Sequence, residues 1–494
     1  MMAYLGYALL VVYGLSLVAI TVYCLMQLHL LYYYKKYAFK KQPKTPLNGN
    51  ADHYPFVTVQ LPIFNERFVV ERLLDAVSKL DYPQNKLEIQ VLDDSTDDTT
   101  SILRKKIEQL KTQGHQIELI HRTNRQGFKA GALKEGMQHV KGEFIAIFDA
   151  DFIPRPNFLR HCVAQFQDPE VGVVQTKWEH INEDYSILTK LQAIQLDVHF
   201  SVEQAGRYYG DCLLQFNGTA GMWRKETIFD AGGWKADTLT EDLDLSYRAQ
   251  LRGWKINYLE HLGSPAELPA EMHSLKSQQF RWTKGGAETA RLLLPKIWSS
   301  DIPFMKKIHG SAHLLSSSIF VLVFISSVCS VPLVYLLGSI DFNFDVFVVF
   351  IVGILALISV YYVAHVENRD EGQSFGKAFL KFIFLFPVFL AMSMGLSFHN
   401  TLAVIQGYIG KKSPFVRTPK FNLDDLAKGL NDRRYFKGKL SWKTVFEGFL
   451  SIYFLYGFVS GLMNESYYFL LFHLLLFLGF GGICFYSFRH LKYR

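Results

Sequence analysis

The sequence predicts an α/β domain, a Rossmann-like layer of strands flanked by helices, joined to an α-helical transmembrane domain. Three observations carry that prediction. Short apolar runs alternate with helix-patterned stretches between residues 56 and 149, as βαβ units require. Hydrophobic blocks long enough to cross a bilayer flank this region, over 3–34 and again from 311 onward. The formal charge is only +7, and the basic residues gather beside those blocks: Lys35, Lys36, Lys40, Lys41 and Lys44; Lys411, Lys412, Arg417, Lys420, Arg433 and Arg434; Arg489, Lys492 and Arg494. That is a membrane pattern, so membrane lipid is an expected partner and nucleic acid is not.

The block from Ala3 to about Tyr34 is too long for a signal-peptide core and lacks a basic leading region, so it reads as a retained transmembrane helix. The lysines that follow place residue 35 onward in the cytoplasm. Next come a strand FVTVQL (56–61), a helix Glu66–Leu80, a strand LEIQVL (87–92), a helix near 100–110, and strands near 116–121 and 143–149. Ligands of such sheets bind where strands end. The first strand runs into LPIFNE rather than Gly-x-Gly-x-x-Gly, which argues against a hydride-transfer cofactor. The five cysteines make no Cys-x-x-Cys pair and give neither a disulfide framework nor a zinc site.

In the second membrane region, blocks near 311–337, 345–366, 446–463 and 466–488 each suffice to span. A further block, 377–397, contains Pro387 and is followed by the more amphipathic SFHNTLAVIQGYIG. If it crossed fully, the basic loop 411–445 and the basic C-terminus would both lie outside. Five crossings plus an interfacial segment over about 377–410 are therefore expected.

Chemistry is suggested first by AIFDADF (146–152), in which Asp149 and Asp151 end an apolar strand with no basic residue beside them. On spacing alone this is either an acid-rich turn or a pair of oxygen ligands for a hard cation. Asp93 and Asp94 end the second strand. Glu241 and Asp242 follow Thr240, where first-turn acids would also suit a helix N-terminus, and Gln278 stands before Arg281-Trp282.

Taken in order, these elements read D, D-x-D, T-E-D and Q-x-x-R-W, and the chain resembles the processive family 2 glycosyltransferases. It is more particularly similar to the plant cellulose-synthase-like A and C families and their bacterial relatives, on VLDDSTDDT, FNGTAGMWR (216–224), AGGWKADTLTEDLDLSYRAQLRGWK (231–255) and ELPAEMHSLKSQQFRW (267–282). The resemblance implies a GT-A mixed sheet over 35–290, an interfacial helix over 291–310, and a membrane domain over 311–494 behind the helix 1–34. It implies Mg2+ or Mn2+ on Asp149 and Asp151, which would supply the positive charge the acids lack. Asp242 would be the general base. Asn65, Glu66, Asp93, Asp94 and Lys129 would belong to the nucleotide-sugar pocket, and Glu241, Gln278, Arg281 and Trp282 would flank the diphosphate and acceptor. Phe415, Thr418 and Lys420 are similar to a gating loop over 413–420, with Arg417 where valine is usual.

The function so implied is an inverting hexosyltransferase that builds a β-linked glucan, mannan or glucomannan from UDP-glucose or GDP-mannose. The same motifs occur in lipid glycosyltransferases that add one or a few sugars, and product length separates the two. A non-catalytic transporter or nucleotide-sugar receptor has no need of Asp242.

Overall fold

The computed structural model describes residues 2–37, 54–336, 340, 342–369, 372–413, 416, 418, 420 and 441–492. Seven strands form one sheet: β1 (Val57–Ile63), β2 (Leu87–Asp93), β3 (Ile117–His121), β4 (Phe144–Ile147), β5 (Val171–His180), β6 (Gly221–Arg224) and β7 (Lys255–Ala266). Their order is β3-β2-β1-β4-β6-β5-β7. β6 runs antiparallel to both neighbours, while every other pairing is parallel, so the sheet is mixed.

Alternation of side chains builds a core on each face. Val57, Val59, Leu61 and Ile63 of β1 join Phe144 and Ala146 of β4 in one apolar cluster; Ile145 and Ile147 face the other way, against Trp223 and Phe216. A fully buried side chain of this size stabilises the fold by about 1.5–3 kcal/mol. The intervening Thr58 and Gln60 look like a solvated face in sequence, yet both are fully buried. Their donors are satisfied across the parallel register, Thr58 Oγ1 donating to Glu88 at 2.5 Å and Gln60 Nε2 to Gln90 at 3.0 Å.

β1 connects to β2 on one side and pairs with β4 on the other, so the crevice at the C-terminal ends of β1 and β4 is the topological switch point. The reversal of β6 brings its entry, residues 217–220, to that same edge: Gly221 lies opposite Ile147 of β4 and Gln175 of β5. The ends of β5 and β7 arrive there too.

Six helices among the described residues are long and apolar enough to cross a membrane: Met2–Tyr37, Ser316–Leu336, Asp345–Glu367, Phe375–Gly395, Trp442–Met463 and Tyr467–His490. The chain is an integral membrane protein. Met2–Tyr37 is bound to the α/β domain at its end, where Tyr34 donates to Glu260 at 3.0 Å. Gly206 lies so close to Leu30 that a Cβ there would meet its carbonyl oxygen at 2.5 Å. The stretch 291–310 falls on two helices, Met272–Ser299 and Phe304–Leu314. Met272–Ser299 joins the two halves of the molecule. Lys276 reaches the membrane helices, donating to Glu447 at 2.5 Å and to Ser487 at 3.1 Å.

Phe375–Gly395 packs on both halves of the molecule; against Tyr467–His490 it comes so close that a Cβ at Gly395 would meet the Gly479 carbonyl oxygen at 2.5 Å. Its Phe382, Phe386, Phe389 and Met392 pack on Leu188, Leu191 and Ile194 of the α/β domain and on Met272 and Leu275. Lys381 pairs with Glu183 at 3.4 Å. The following helix Ser397–Tyr408 lies against Met272–Ser299, with His399 Nε2 3.0 Å from the Lys276 carbonyl oxygen.

Candidate active site

At the switch point β4 stops at Ile147, and Asp149–Phe152 form a turn closed by Phe152 N donating to Asp149 O at 3.1 Å. Both acids of this turn line one cavity, together with Glu66, Asp94, Lys129, Glu241, Asp242, Gln278, Arg281, Trp282, Thr418 and Lys420. Elements scattered from residue 66 to residue 420 thus converge on the strand edge.

The sequence shows no base beside the aspartate pair, but the fold supplies two. Lys129 Nζ donates to Asp149 Oδ1 at 2.5 Å, and the Lys420 ammonium pairs with Asp151. Lys129 also donates to the Gly218 carbonyl at 2.9 Å. Burial pulls the Lys129 ammonium down, but the charges of Asp149 and Glu241 outweigh it and hold its pKa above the ordinary lysine value. Two carboxylates that each draw a cation into the cavity suit a divalent ion by donor type and charge. Among the described residues, no cluster of three His, Cys, Asp or Glu side chains is built to hold a metal, so further ligands would have to come from diphosphate or water.

Glu241 and Asp242 open the helix Glu241–Gln250. Asp242 Oδ1 accepts from the Leu243 backbone N–H at 2.8 Å, leaving Oδ2 toward Gly218. Burial and then the neighbouring Glu241 push the Asp242 carboxyl up to about 7, while burial raises Glu241 itself. A carboxylate so tuned is a competent proton acceptor near neutral pH. Facing it, Gln278, Arg281 and Trp282 share one side of Met272–Ser299 because they are spaced i, i+3, i+4. Arg281 donates to Thr418 Oγ1 at 3.2 Å.

The residues expected at the nucleotide divide. Glu66, Asp94 and Lys129 line the cavity, with Asp94 gripped by Arg122 through Nε at 2.7 Å and Nη2 at 2.5 Å. Asn65 and Asp93 do not line it. Asn65, at φ +55, accepts from Thr96 N at 2.8 Å and ties the β1 turn to the β2 turn. Asp93 is buried beneath the site; Thr100 Oγ1 donates to it at 2.6 Å, and His121 Nδ1 lies 2.9 Å away. Thr418 and Lys420 reach the cavity, whereas Phe415 lies outside the described residues.

Sequence reasoning did not assign Arg125, Trp178, His180, Asn217, Gly218 and Glu267, which also line the cavity. Arg125 stacks on Phe64, its guanidinium carbon 3.2 Å from the ring centroid. The motif FNGTAGMWR was the available signal for Asn217 and Gly218. Trp178 and His180 had none, because their strand lacks a clean period.

A mixed α/β sheet with an acidic switch-point cavity, joined to long apolar helices, is a GT-A-like fold carried on a membrane domain. Residues 55–285 match the family described as glycosyltransferase like family 2. Over 258 residues it is 42% identical to glucomannan 4-beta-mannosyltransferase 7 of Arabidopsis thaliana, covering 51% of this chain and 46% of that protein. Over 262 residues it is 42% identical to glucomannan 4-beta-mannosyltransferase 1 of Oryza sativa, covering 52% and 50%. The chain thus spans about half the length of these curated relatives. The fold is shared with the mannosyltransferase PcManGT of Pyrobaculum calidifontis, solved in complex with GDP-Man and Mn2+. That likeness has a TM-score of 0.50 at 19% identity, covering 83% of this chain and 100% of that one.

Proposed function

We propose that this chain is an inverting membrane hexosyltransferase that extends a β-linked mannan or glucomannan from a GDP-mannose-type donor, with its α/β domain in the cytoplasm. The observation that carries the reading is the presence in one cavity of Asp242, the Asp149/Asp151 pair and the Arg281–Trp282 face. The names of the plant relatives and the GDP-Man held by the archaeal structure favour mannose over glucose.

Asp149 and Asp151 would hold Mn2+ or Mg2+, which when bound supplies Lewis-acid charge to the leaving diphosphate. Arg281 adds a guanidinium suited to phosphate oxygens. Trp282 offers an indole face to the acceptor sugar. The acceptor hydroxyl attacks the anomeric carbon opposite the leaving oxygen, the sugar–phosphate bond breaks, and the hydroxyl proton passes to Asp242. Glu66 and Asp94 lie at the ends of the first two strands, where the nucleotide would rest. Thr418 and Lys420, which line the cavity, would belong to the gating loop.

We read Phe375–Gly395 as lying in the interface, because five crossings place the basic loop 411–445 and the basic C-terminus on the cytoplasmic side. Purified full-length protein in lipid nanodiscs, given Mn2+ or Mg2+ and radiolabelled GDP-mannose or UDP-glucose separately, tests the function. Mannose polymer cleaved by endo-β-1,4-mannanase is expected. A single mobile glycolipid would shift the reading to a lipid glycosyltransferase, and no transfer from either donor would remove it.

A further inference from the structure

We infer that anionic phospholipid is a regulatory ligand of this chain: its headgroup phosphate binds between Arg291, Lys411 and Lys412, and the buried Lys284 passes that binding on to the cavity. The inference rests on the reading that the cavity takes a nucleoside diphosphate, and goes beyond it by naming a second ligand and the route between the two sites.

Two helices lie side by side and show apolar side chains to the outside. On Met272–Ser299 the exposed face carries Arg291, Pro295 and Trp298, spaced i, i+4, i+7. Phe304, on the next helix, meets the Trp298 ring edge-on at 6.2 Å. On the neighbouring Ser397–Tyr408, Ile405 is exposed, and Ile409 follows just past its end. Trp298 is 48% exposed, Phe304 64% and Ile409 68%; large apolar side chains that stand this bare outside the six long apolar helices gather here. The face is continuous with the bilayer surface. Tyr408 is hydrogen-bonded at 2.7 Å to Ser318, at the start of the span Ser316–Leu336, and Thr401 donates to the Phe320 carbonyl oxygen at 3.2 Å. His309 lies 3.1 Å from His29, near the end of the span Met2–Tyr37. An exposed apolar face at that level is covered by lipid.

Its charge selects anionic lipid. Residues 397–413 hold no acid, and residues 291–307 set Asp301 against Arg291, Lys296, Lys306 and Lys307. The Arg291 guanidinium lies on Gly410, where a Cβ would be 2.5 Å from Nη1, so it stands beside Lys411 and Lys412. These three cations are exposed and make no ion pair among the described residues. A helix C-terminus favours cations by itself. That accounts neither for Arg291, which comes from another helix, nor for the bare Ile409 and Trp298. A phosphate diester among acyl chains satisfies both features, and each cation near an anionic surface strengthens binding about fivefold.

The route inward starts at Lys411. Lys284 is fully buried, and its ammonium donates to the Lys411 carbonyl oxygen and, at 2.6 Å, to Ser413 Oγ. The same ammonium lies 3.5 Å from Glu288, whose Oε2 accepts from Leu239 N at 2.8 Å. Leu239 lines the cavity and precedes Thr240, Glu241 and Asp242; on the other branch, Thr418 and Lys420 follow Ser413 in the chain and line the cavity too. A buried ammonium shared among three oxygen partners cannot shift at one without pulling on the others. Lipid that fixes Lys411 and Lys412 therefore steadies both the chain leading to Thr418 and Lys420 and the turn before Asp242, which favours the nucleotide-bound cavity.

The test uses the full chain in nanodiscs of phosphatidylcholine, alone or mixed with phosphatidylglycerol, with Mn2+ present. Calorimetric GDP affinity is expected to be about fivefold higher in the mixed discs. A negatively charged surface by itself repels GDP, so bulk charge predicts the opposite sign. Lys411→Gln/Lys412→Gln is expected to bring the ratio close to one and to lose the phosphatidylglycerol adduct that the wild-type protein keeps in native mass spectrometry. Lys284→Met is expected to keep the adduct and lose the ratio. Ser413→Ala, which leaves the Lys284–Glu288 pair intact, makes the same test should Lys284→Met fail to fold. Inorganic phosphate added to phosphatidylcholine discs is expected not to tighten GDP binding. Equal GDP affinity in the two discs overturns the inference, as does a ratio or adduct that survives in Lys411→Gln/Lys412→Gln. So does a ratio that survives Lys284→Met and Ser413→Ala, or one that free phosphate reproduces. A protein that keeps lipid-dependent GDP binding but transfers no sugar removes the transferase reading and leaves this one standing; no GDP binding in either disc removes both.

Discussion

Gly218 lets the proposed base be tested without touching its carboxylate. At φ +80 it holds a left-handed conformation, and a Cβ there would sit 2.8 Å from Asp242 Oδ2 and 3.4 Å from Lys129 Nζ. Gly218→Ala therefore combines two effects, a left-handed backbone cost of about 1–2 kcal/mol and a collision with Asp242. Asp242 is held on its other oxygen by Leu243 N, so relief must come from turning the carboxylate, by roughly 0.6 Å to reach ordinary contact. Misplacement of this order at a reacting group lowers kcat by up to about 100-fold. Gly233 provides the control: at φ +71 it carries a similar backbone cost, but a Cβ there meets nothing within 4 Å. Initial transfer rates at saturating donor and acceptor, with thermal unfolding of each variant, separate the two contributions. Both variants are expected to lose similar stability while only Gly218→Ala loses kcat. Equal kcat in the two would refute a role for Asp242 at the reacting atoms.

Asp242→Asn should lower transfer by about 10²- to 10⁴-fold while calorimetric binding of GDP stays near wild type. The base works ionised and its carboxyl is pushed up to about 7, so kcat should climb as pH rises through that region. Glu241→Gln removes one raising charge and should move the limb to lower pH, as read from a kcat–pH profile. Asp151→Asn should raise by tenfold or more the Mn2+ concentration for half-maximal transfer, measured by titration into chelated protein, because one of the two proposed oxygen ligands is neutralised. Lys276→Met leaves Glu447 buried without its cation and should cost about 3–5 kcal/mol in unfolding measurements, whereas replacing both by Met should come close to neutral.

The nucleotide half of the sheet was legible because β1, β2, β3 and β4 carry dense apolar runs between turn residues. The other half was not. β6 is four residues, Gly221–Arg224, too short to show a period, and it exists because β4 and β5 offer edges on both sides. β7 mixes Lys255, Asn257, Glu260 and His261 with its apolar residues and shifts register against β5. β5, which carries Trp178 and His180, passes from fully buried to half-buried after Thr176 without a clean period, and that hid both residues. Among the acids, Asp149, Asp151 and Asp242 stood out because carboxylates after apolar strands or at a helix start are few. Asp93 looked equivalent to Asp94, yet it faces inward to Thr100 and His121, a distinction set by backbone direction. Lysine pairing was out of reach, since Lys129 and Lys420 come from 20 and 269 residues away.

Met272–Ser299 presents Trp282 to the reacting cavity and Lys276 to the bilayer helices, six residues and about 9 Å apart along one rod. A stiff rod gripped at both places cannot be tilted at one without being levered at the other. Movement of the cavity wall and any rearrangement of the membrane half are therefore geared together, and a crosslink that freezes Glu447 against Lys276 would lock both at once.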